Sequence, residues 1–194
     1  MSILGTRVVR IEDPRFLTGQ GTYIANLEMP NAVHLTYVRS QMAHARITGI
    51  DTSEAASMPG VIAVYTAADL DIAPAGPANP MMNKGMTYPF LAIDTVRFVG
   101  DLVAIVVSED KESGVDAAET VIVDYDPLPV VVDVDESFKG DVLLFPEAGT
   151  NVSLTFAAAS NDDIFADCDV VVDLVIENQR VAPTPMEDRK STRL

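Results

Sequence analysis

Short apolar segments rich in valine and isoleucine, each bounded by turn residues, constrain the fold of this chain most. β-Branched residues in runs of about four to eight favour strands, because a helix needs a longer periodic segment. Strands are predicted at residues 33–39, 45–50, 61–65, 95–98, 102–107, 121–125, 130–134, 151–156 and 169–176. Residues 102–107 (L-V-A-I-V-V) are the most apolar of these segments. The chain is therefore built on β-sheet.

Helices are predicted only as short elements between these strands. Capping oxygens at residues 51–53 precede a helix that Pro59-Gly60 ends, and Thr66 caps one turn over residues 67–70. The longest helix is predicted at residues 109–121, with Ser108 as its cap and with Val115, Ala118 and Val121 on its inner face. A helical turn is predicted at residues 162–166, and residues 71–90, with four prolines, predict a long loop. Strands alternating with short helices indicate an α+β domain with a mixed sheet.

Composition and charge exclude several classes of protein. A chain of 194 residues that is 48% hydrophobic is not intrinsically disordered, and no apolar run approaches the roughly 18 residues of a membrane span. Residues 1–50 hold five Lys/Arg against three Asp/Glu, whereas residues 51–188 hold five against twenty-six. This acidic body excludes nucleic acid as a partner. The acidity either maintains solubility or offers a docking surface to the basic N-terminal arm.

The sequence contains no recognisable set of catalytic, cofactor-binding or metal-ligating residues. His34 and His44 are predicted to be packed or surface residues, since no cluster has metal-ligand spacing. Cys168 is predicted to be a packed thiol with no redox or nucleophilic role, and a single cysteine favours the reducing cytoplasm. No secretory signal follows Arg7 and Arg10. A cluster of acidic residues is predicted to be a solvated face because it lacks a calcium-loop pattern: Asp162, Asp163, Asp167 and Asp169.

Five longer strings share an order and spacing that resemble one known family. They are G-T-R-V-V-R-I-E-D-P-R-F-L-T-G-Q-G-T-Y at 5–23, V-R-S-Q-M-A-H-A-R-I at 38–47, M-P-G-V-I-A-V-Y-T-A-A-D-L at 58–70, V-R-F-V-G-D-L-V-A at 96–104 and A-A-E-T-V-I-V-D-Y-D-P-L-P at 117–129. Together they resemble the start of the molybdenum-carrying large subunit of the xanthine dehydrogenase, aldehyde oxidase and aerobic carbon monoxide dehydrogenase family. The matching part of that subunit is its α/β hammerhead domain.

This resemblance implies an N-terminal arm at 1–22, a hammerhead domain at 23–145, and a linker with the truncated start of the molybdenum-cofactor domain at 146–194. The full enzyme of such a family is a molybdopterin-dependent hydroxylase or dehydrogenase that works with iron–sulfur and flavin subunits. Its catalytic residues lie downstream, so the isolated chain is expected to be inactive and to hold no molybdenum–pterin cofactor. The last six residues, R-K-S-T-R-L, depart from the family pattern and indicate a frameshift or a truncation.

The resembling strings also have purely structural explanations, which leave a second hypothesis open. Gly100 suits a tight turn, and Pro127 and Pro129 stiffen a corner between strands. A sheet with these features could also be a freestanding noncatalytic binding or carrier module. Carriers present a lysine on an exposed hairpin, and Lys84 within residues 82–86 is the candidate for that lysine.

Overall fold

The computed structural model of this chain describes residues 5, 10–21, 29–77, 79–156 and 164–176. The chain divides into two compact units, Ala32–Ser160 and a second unit formed by Met1–Asn31 with Asn161–Leu194. The described part of the second unit contains one helix, α1 (Asp13–Leu17), which has a proline as its second residue and is followed by Gly19 at a φ of 72°. Its described residues contain no strand.

The unit Ala32–Ser160 holds the strands and the remaining helices. In chain order they are β1 (His34–Arg39), β2 (Ala45–Asp51), α2 (Ser53–Ser57), β3 (Val61–Thr66), a 3₁₀ turn (Ala67–Asp69), β4 (Thr95–Val96), β5 (Leu102–Ser108), α3 (Lys111–Thr120), β6 (Ile122–Pro127), α4 (Val134–Lys139) and a second 3₁₀ turn (Pro146–Ala148). This sequence of elements confirms the predicted α+β class with short helices.

The strands form two antiparallel three-stranded sheets, where a mixed sheet was expected. The first has the order β1-β5-β3 and the second the order β4-β2-β6. In the first sheet Tyr37 pairs with Ile105, which pairs on its other side with Tyr65. The very apolar β5 is central because both of its edges are paired, so its backbone polar groups are satisfied without water.

Two groups of small aliphatic side chains form the core. One joins β1 and β5 to the helices: Val38, Ala55, Ala104, Val106 and Ala117. The other lies against the second sheet: Ala45, Ala92, Val96 and Val103. Val123 on β6 packs against both groups and connects them. Val106 and Val103 have no exposed surface, and burying a side chain of this size contributes roughly 1.5–3 kcal/mol.

Helix α3 is where predicted, but its cap and one residue of its predicted inner face differ from the prediction. Its N-cap is Asp110, whose carboxylate accepts a hydrogen bond from the Ser113 amide at 2.8 Å. The predicted cap, Ser108, instead donates its hydroxyl to the Asp110 carbonyl at 2.6 Å. Ala118 and Val121 pack against the first core group as predicted, whereas Val115 is exposed. The fully buried residues of the helix are Gly114 and Ala117.

Three of the predicted strands are wrong. Residues 130–134 form no strand, and helix α4 begins at Val134, where Asp133 caps the amides of Asp135 and Glu136 at 2.9 and 3.0 Å. Residues 151–156 and 169–176 form neither helix nor strand. Each segment has the composition of a strand, but no described neighbouring strand pairs with it. The helical turn predicted at 162–166 is a turn from residue 164, and residues 162 and 163 lie outside the described part.

The predicted long loop is confirmed at residues 71–77 and 79–90. Its one regular feature is an isolated antiparallel bridge in which Ala75 and Tyr88 exchange backbone hydrogen bonds of 2.9 and 2.8 Å. The predicted cap of the turn before this loop is also confirmed. Thr66 is the N-cap of the 3₁₀ turn Ala67–Asp69 and forms a capping box with Asp69, in which the Thr66 amide donates to the Asp69 carboxylate at 2.8 Å.

Candidate functional site

The turn before β5 places a buried carboxylate at the junction of the two sheets. Gly100 adopts a φ of 95°, which confirms the tight turn predicted there and which a residue with a Cβ would adopt only under strain. Asp101 follows and is only 2% exposed. Its carboxylate accepts a hydrogen bond from the Arg97 amide at 2.9 Å, and its carbonyl accepts one from the Ser40 amide at 2.8 Å.

Tyr88 fastens the long loop to this carboxylate. Its hydroxyl donates to Asp101, and its ring stacks on Phe98 with the ring centres 6.1 Å apart. Burial, followed by the hydrogen bond to Asp101, raises the pKa of the Tyr88 hydroxyl, because both favour the protonated phenol. The arrangement is an anchor for residues 71–90: it fixes a loop against a turn and presents no free nucleophile.

A cleft of about 390 Å³ opens beside β2 and β4. It is lined by His44, Arg46, Thr95, Arg97, Leu128, Pro129, Asp141, Val142, Leu143, Leu144 and Pro146. Arg97 bridges its walls, since Nε donates to the Leu144 carbonyl at 2.8 Å and the guanidinium lies 4.8 Å from the centre of the Phe145 ring. A further Arg97 nitrogen donates to the Thr95 carbonyl at 3.3 Å.

His44 is packed, which is one of the two environments expected for it. It is 7% exposed, and its Nδ1 lies 2.6 Å from the Pro129 carbonyl oxygen. A carbonyl oxygen only accepts, so the Nδ1 must carry the hydrogen and donate it. This bond ties β2 to the rigid proline corner after β6. His34, in contrast, lies exposed on β1.

The prediction for Cys168 is wrong in one respect, because its side chain is exposed and not packed. The segment around it forms a turn in which the Cys168 amide donates to the Phe165 carbonyl at 3.1 Å. Asp167 and Asp169 are exposed beside it, as expected of a solvated acidic face, while Asp162 and Asp163 lie outside the described residues. The missing packing follows from the absence of a strand at 169–176, which was expected to carry this segment into a core.

Neither a metal centre nor a carrier hairpin is formed by the residues described. Across residues 5, 10–21, 29–77, 79–156 and 164–176, no three His, Cys, Asp or Glu side chains gather as a metal site requires. Within the same ranges no helix is long and apolar enough to cross a membrane. Lys84 is exposed, but it lies in a turn where the Asn83 amide donates to the Ser153 carbonyl at 2.7 Å, not between two paired strands.

Sequence reasoning missed the two residues around which this junction is organised, Tyr88 and Asp101. The signal for Asp101 was the Gly100-Asp101 pair, which was used only to predict a turn. The signal for Tyr88 was that it is an aromatic residue near the end of the proline-rich loop 71–90. A loop of this length needs a buried side chain to fix it to the rest of the domain. The distance in sequence between the two residues hides their contact.

The sequence and the fold of this chain are similar to those of known proteins. The sequence profile of the aldehyde oxidase and xanthine dehydrogenase a/b hammerhead domain matches residues 18–129. The chain belongs to this family. Both sheets of the hammerhead domain, with the Tyr88–Asp101 anchor between them, lie within the matched residues.

Two curated relatives and one solved structure extend this comparison. The nicotine 6-hydroxylase large subunit of Paenarthrobacter nicotinovorans is 39% identical over 193 residues, covering 97% of this chain and 24% of the relative. The carbon monoxide dehydrogenase large chain of Afipia carboxidovorans is 36% identical over 205 residues, covering 95% of this chain and 24% of the relative. The crystal structure of the Cu,Mo-CO dehydrogenase matches 72% of this chain and 17% of that chain at 40% identity, with a TM-score of 0.59.

The chain therefore spans about a quarter of the length of these curated relatives. The alignments run along nearly the whole chain, well past residue 129, where the hammerhead match ends. Most of residues 130–194 thus share sequence with large subunits although they lie outside the matched hammerhead domain.

Proposed function

We propose that this chain is the N-terminal structural part of the large subunit of a molybdopterin-dependent oxidoreductase, a hydroxylase or dehydrogenase whose catalytic residues lie elsewhere in that subunit. The observation that supports this most is the continuous similarity to large subunits over 97% of the chain and only 24% of the relative. A freestanding module would be expected to match relatives of its own length. The division into an arm at 1–22, a hammerhead domain at 23–145 and a linker with the start of a cofactor domain at 146–194 belongs to this proposal.

In the part of the chain that the structure describes, the cleft side chains Arg97 and His44 do not fit the molybdenum–pterin cofactor. The pyrophosphate-like part of such a group needs free cationic or backbone donors, and a metal needs a cluster of ligands. Arg97 already donates to the Leu144 and Thr95 carbonyls, and the Nδ1 of His44 donates to Pro129. These side chains hold walls of the cleft together.

The role that remains is to provide a rigid platform for the cofactor-bearing part of the subunit. Paired strands on both edges of β5, the carboxylate anchor at Asp101 and the arginine bridge at Arg97 fix the two sheets and the loop to each other. A platform of this kind restricts where a neighbouring domain can dock. We also propose that iron–sulfur and flavin subunits are its partners and that it lies in the cytoplasm. The relatives are large subunits or large chains, which implies smaller partner subunits, and a single cysteine suits a reducing compartment.

The test is to measure molybdenum in two proteins made in the same host that assembles the cofactor. One protein is the 194-residue chain, and the other is a large subunit that contains this chain as its first part. We expect close to one molybdenum per large subunit, oxidation of a small substrate by that subunit, and neither for the 194-residue chain. Near-stoichiometric molybdenum in the 194-residue chain, or none in the large subunit, would contradict the proposal.

A further inference from the structure

Residues 169–176 (D-V-V-V-D-L-V-I) expose more aliphatic surface than a stable segment normally leaves in water. All six apolar side chains are between 50% and 95% exposed: Val170, Val171, Val172, Leu174, Val175 and Ile176. No helix or strand is formed by residues 164–176, the described stretch that contains them. A contiguous exposed run of aliphatic residues marks a surface that another part of a protein covers.

The order of residues in this segment gives the two faces of a strand different characters. Side chains alternate between faces in an extended chain, so one face would carry only aliphatic residues, namely Val170, Val172, Leu174 and Ile176. The opposite face would alternate acid and valine: Asp169, Val171, Asp173 and Val175. Five of the eight residues are valine or isoleucine, which favour a pleated sheet. The segment is thus suited to a strand with one buried face and one partly solvated face.

The alignments indicate which part of a protein supplies the missing neighbours. The hammerhead match ends at residue 129, whereas the similarity to the nicotine 6-hydroxylase large subunit covers 97% of the chain. Residues 169–176 therefore lie in a stretch that is shared with large subunits but is outside the hammerhead domain. That relative has about three quarters of its length without a counterpart in this chain, enough polypeptide for a separate sheet.

We propose that residues 169–176 form a strand that pairs with the edge of a β-sheet in the remaining part of the large subunit, with the face of Val170, Val172, Leu174 and Ile176 buried in that part's core. This inference rests on the function proposed above, because it takes the partner from the same subunit. Pairing would satisfy the backbone amides of the segment and remove its aliphatic face from water.

Hydrogen exchange of the backbone amides tests the pairing. We expect amides 170–176 to exchange at nearly the rate of an unstructured peptide in the 194-residue chain, and roughly 100-fold more slowly or better in the large subunit. Unprotected amides in a large subunit that holds molybdenum would overturn the strand and leave the proposed function intact. A large subunit without molybdenum would overturn the proposed function, while exchange would still decide whether the strand forms.

Two lysine substitutions in the large subunit test which face is buried. Val172→Lys places a charge on the all-aliphatic face, and Val175→Lys, the matched control, places it beside Asp173 on the other face. We expect Val172→Lys to reduce protection of amides 170–176 at least tenfold and Val175→Lys less than twofold. Equal effects would overturn the assignment of faces. Protection of these amides in a dimer of the 194-residue chain, lost in Val172→Lys, would show that a second copy is the partner and would also overturn the inference.

Discussion

Removal of the Asp101 side chain should destabilise this fold, because its carboxylate is buried and accepts two hydrogen bonds. Its carboxylate accepts hydrogen bonds from the Arg97 amide and the Tyr88 hydroxyl in a place that water hardly reaches. Truncation leaves both donors without an acceptor, and an unsatisfied buried donor costs about 1–3 kcal/mol. We expect Asp101→Ala to lower the free energy of unfolding by about that amount in urea denaturation. Asp94→Ala, at an exposed carboxylate, is the control and should change little; equal effects would contradict the anchor.

Tyr88 should make stability depend on pH in the alkaline range. Because the pKa of its hydroxyl is raised in the folded chain, the folded state binds this proton more tightly than the unfolded state does. The contribution of Tyr88 is therefore complete below the ordinary tyrosine pKa of about 10 and is lost as the pH rises above it. We expect Tyr88→Phe to flatten the fall of melting temperature between neutral and strongly alkaline pH. Tyr65→Phe, on the exposed sheet face, should leave that slope unchanged.

Several residues were predicted correctly from their own chemistry or from their immediate neighbours in sequence, although the cap at Ser108 and the packing of Cys168 were not. Gly100 has the positive φ expected of its turn, Thr66 and Asp69 cap the short turn after β3, and His44 is packed. The Tyr88–Asp101 and Arg97–Leu144 hydrogen bonds were not foreseen, because they join residues 13 and 47 positions apart. Such pairs depend on how the strands are arranged, which local spacing does not determine.

At the scale of the elements, strands were predictable where partners for them exist in the chain. Strand β5 was predicted at 102–107 and extends over Leu102–Ser108. The segment at 130–134 failed for a reason that was already visible: Asp133, two acidic residues, Lys139 and Gly140 are the signals of a short helix. The apolar valines in front of them were given more weight than the caps. Segments 151–156 and 169–176 have the composition of strands, but composition does not supply a neighbour.

Helix α3 approaches the first sheet so closely that only glycine fits at position 114. A Cβ there would lie 2.5 Å from Ser108 Oγ and 2.6 Å from Thr36 Oγ1. Alanine gains helix propensity of about 1 kcal/mol, but overpacking of this kind costs roughly 1–3 kcal/mol. We expect Gly114→Ala to lower the urea midpoint, while Gly76→Ala, where a Cβ meets nothing within 4 Å, should not. A more stable Gly114→Ala variant would show that helix and sheet separate at little cost.

The cap of the same helix should respond to acid. Hydrogen bonds from the backbone and side chain of Ser113 lower the pKa of Asp110, so the charged carboxylate is favoured in the folded state. Its stabilising effect is present above the ordinary aspartate pKa of about 3.9 and is lost as the pH falls through the lowered value. We expect Asp110→Ala to lower the urea midpoint at pH 7 and to make the midpoint less dependent on pH below 4. Asp116→Ala, exposed on the same helix, should do neither.

At the scale of the whole molecule, an open apolar sheet face competes with a large negative charge. The face of the first sheet that does not contact α2 or α3 exposes Leu35, Tyr37 and Tyr65. Tyr37 and Tyr65 pair with Ile105 of the central strand from its two sides, and Leu35 lies two residues before Tyr37 on β1. Burying such a face between two copies of the chain would be favourable. The net charge of −16 opposes any contact between copies through repulsion, which salt screens over a length of about 10 Å at 0.1 M ionic strength.

The balance between these two effects leads to a prediction about self-association of the 194-residue chain. If apolar contact drives association and charge restrains it, the chain should be monomeric in about 0.02 M salt and should associate as salt is raised to about 0.5 M. Sedimentation velocity over a range of protein concentrations measures the self-association. Leu35→Lys should reduce it without changing the melting temperature much, because the Leu35 side chain is 53% exposed. Val132→Lys, at an exposed side chain outside the strands of the first sheet, is the matched control. Association that weakens as salt is raised would reverse the conclusion, because it would mean that the basic residues of the first 50 positions hold copies together by docking on the acidic body.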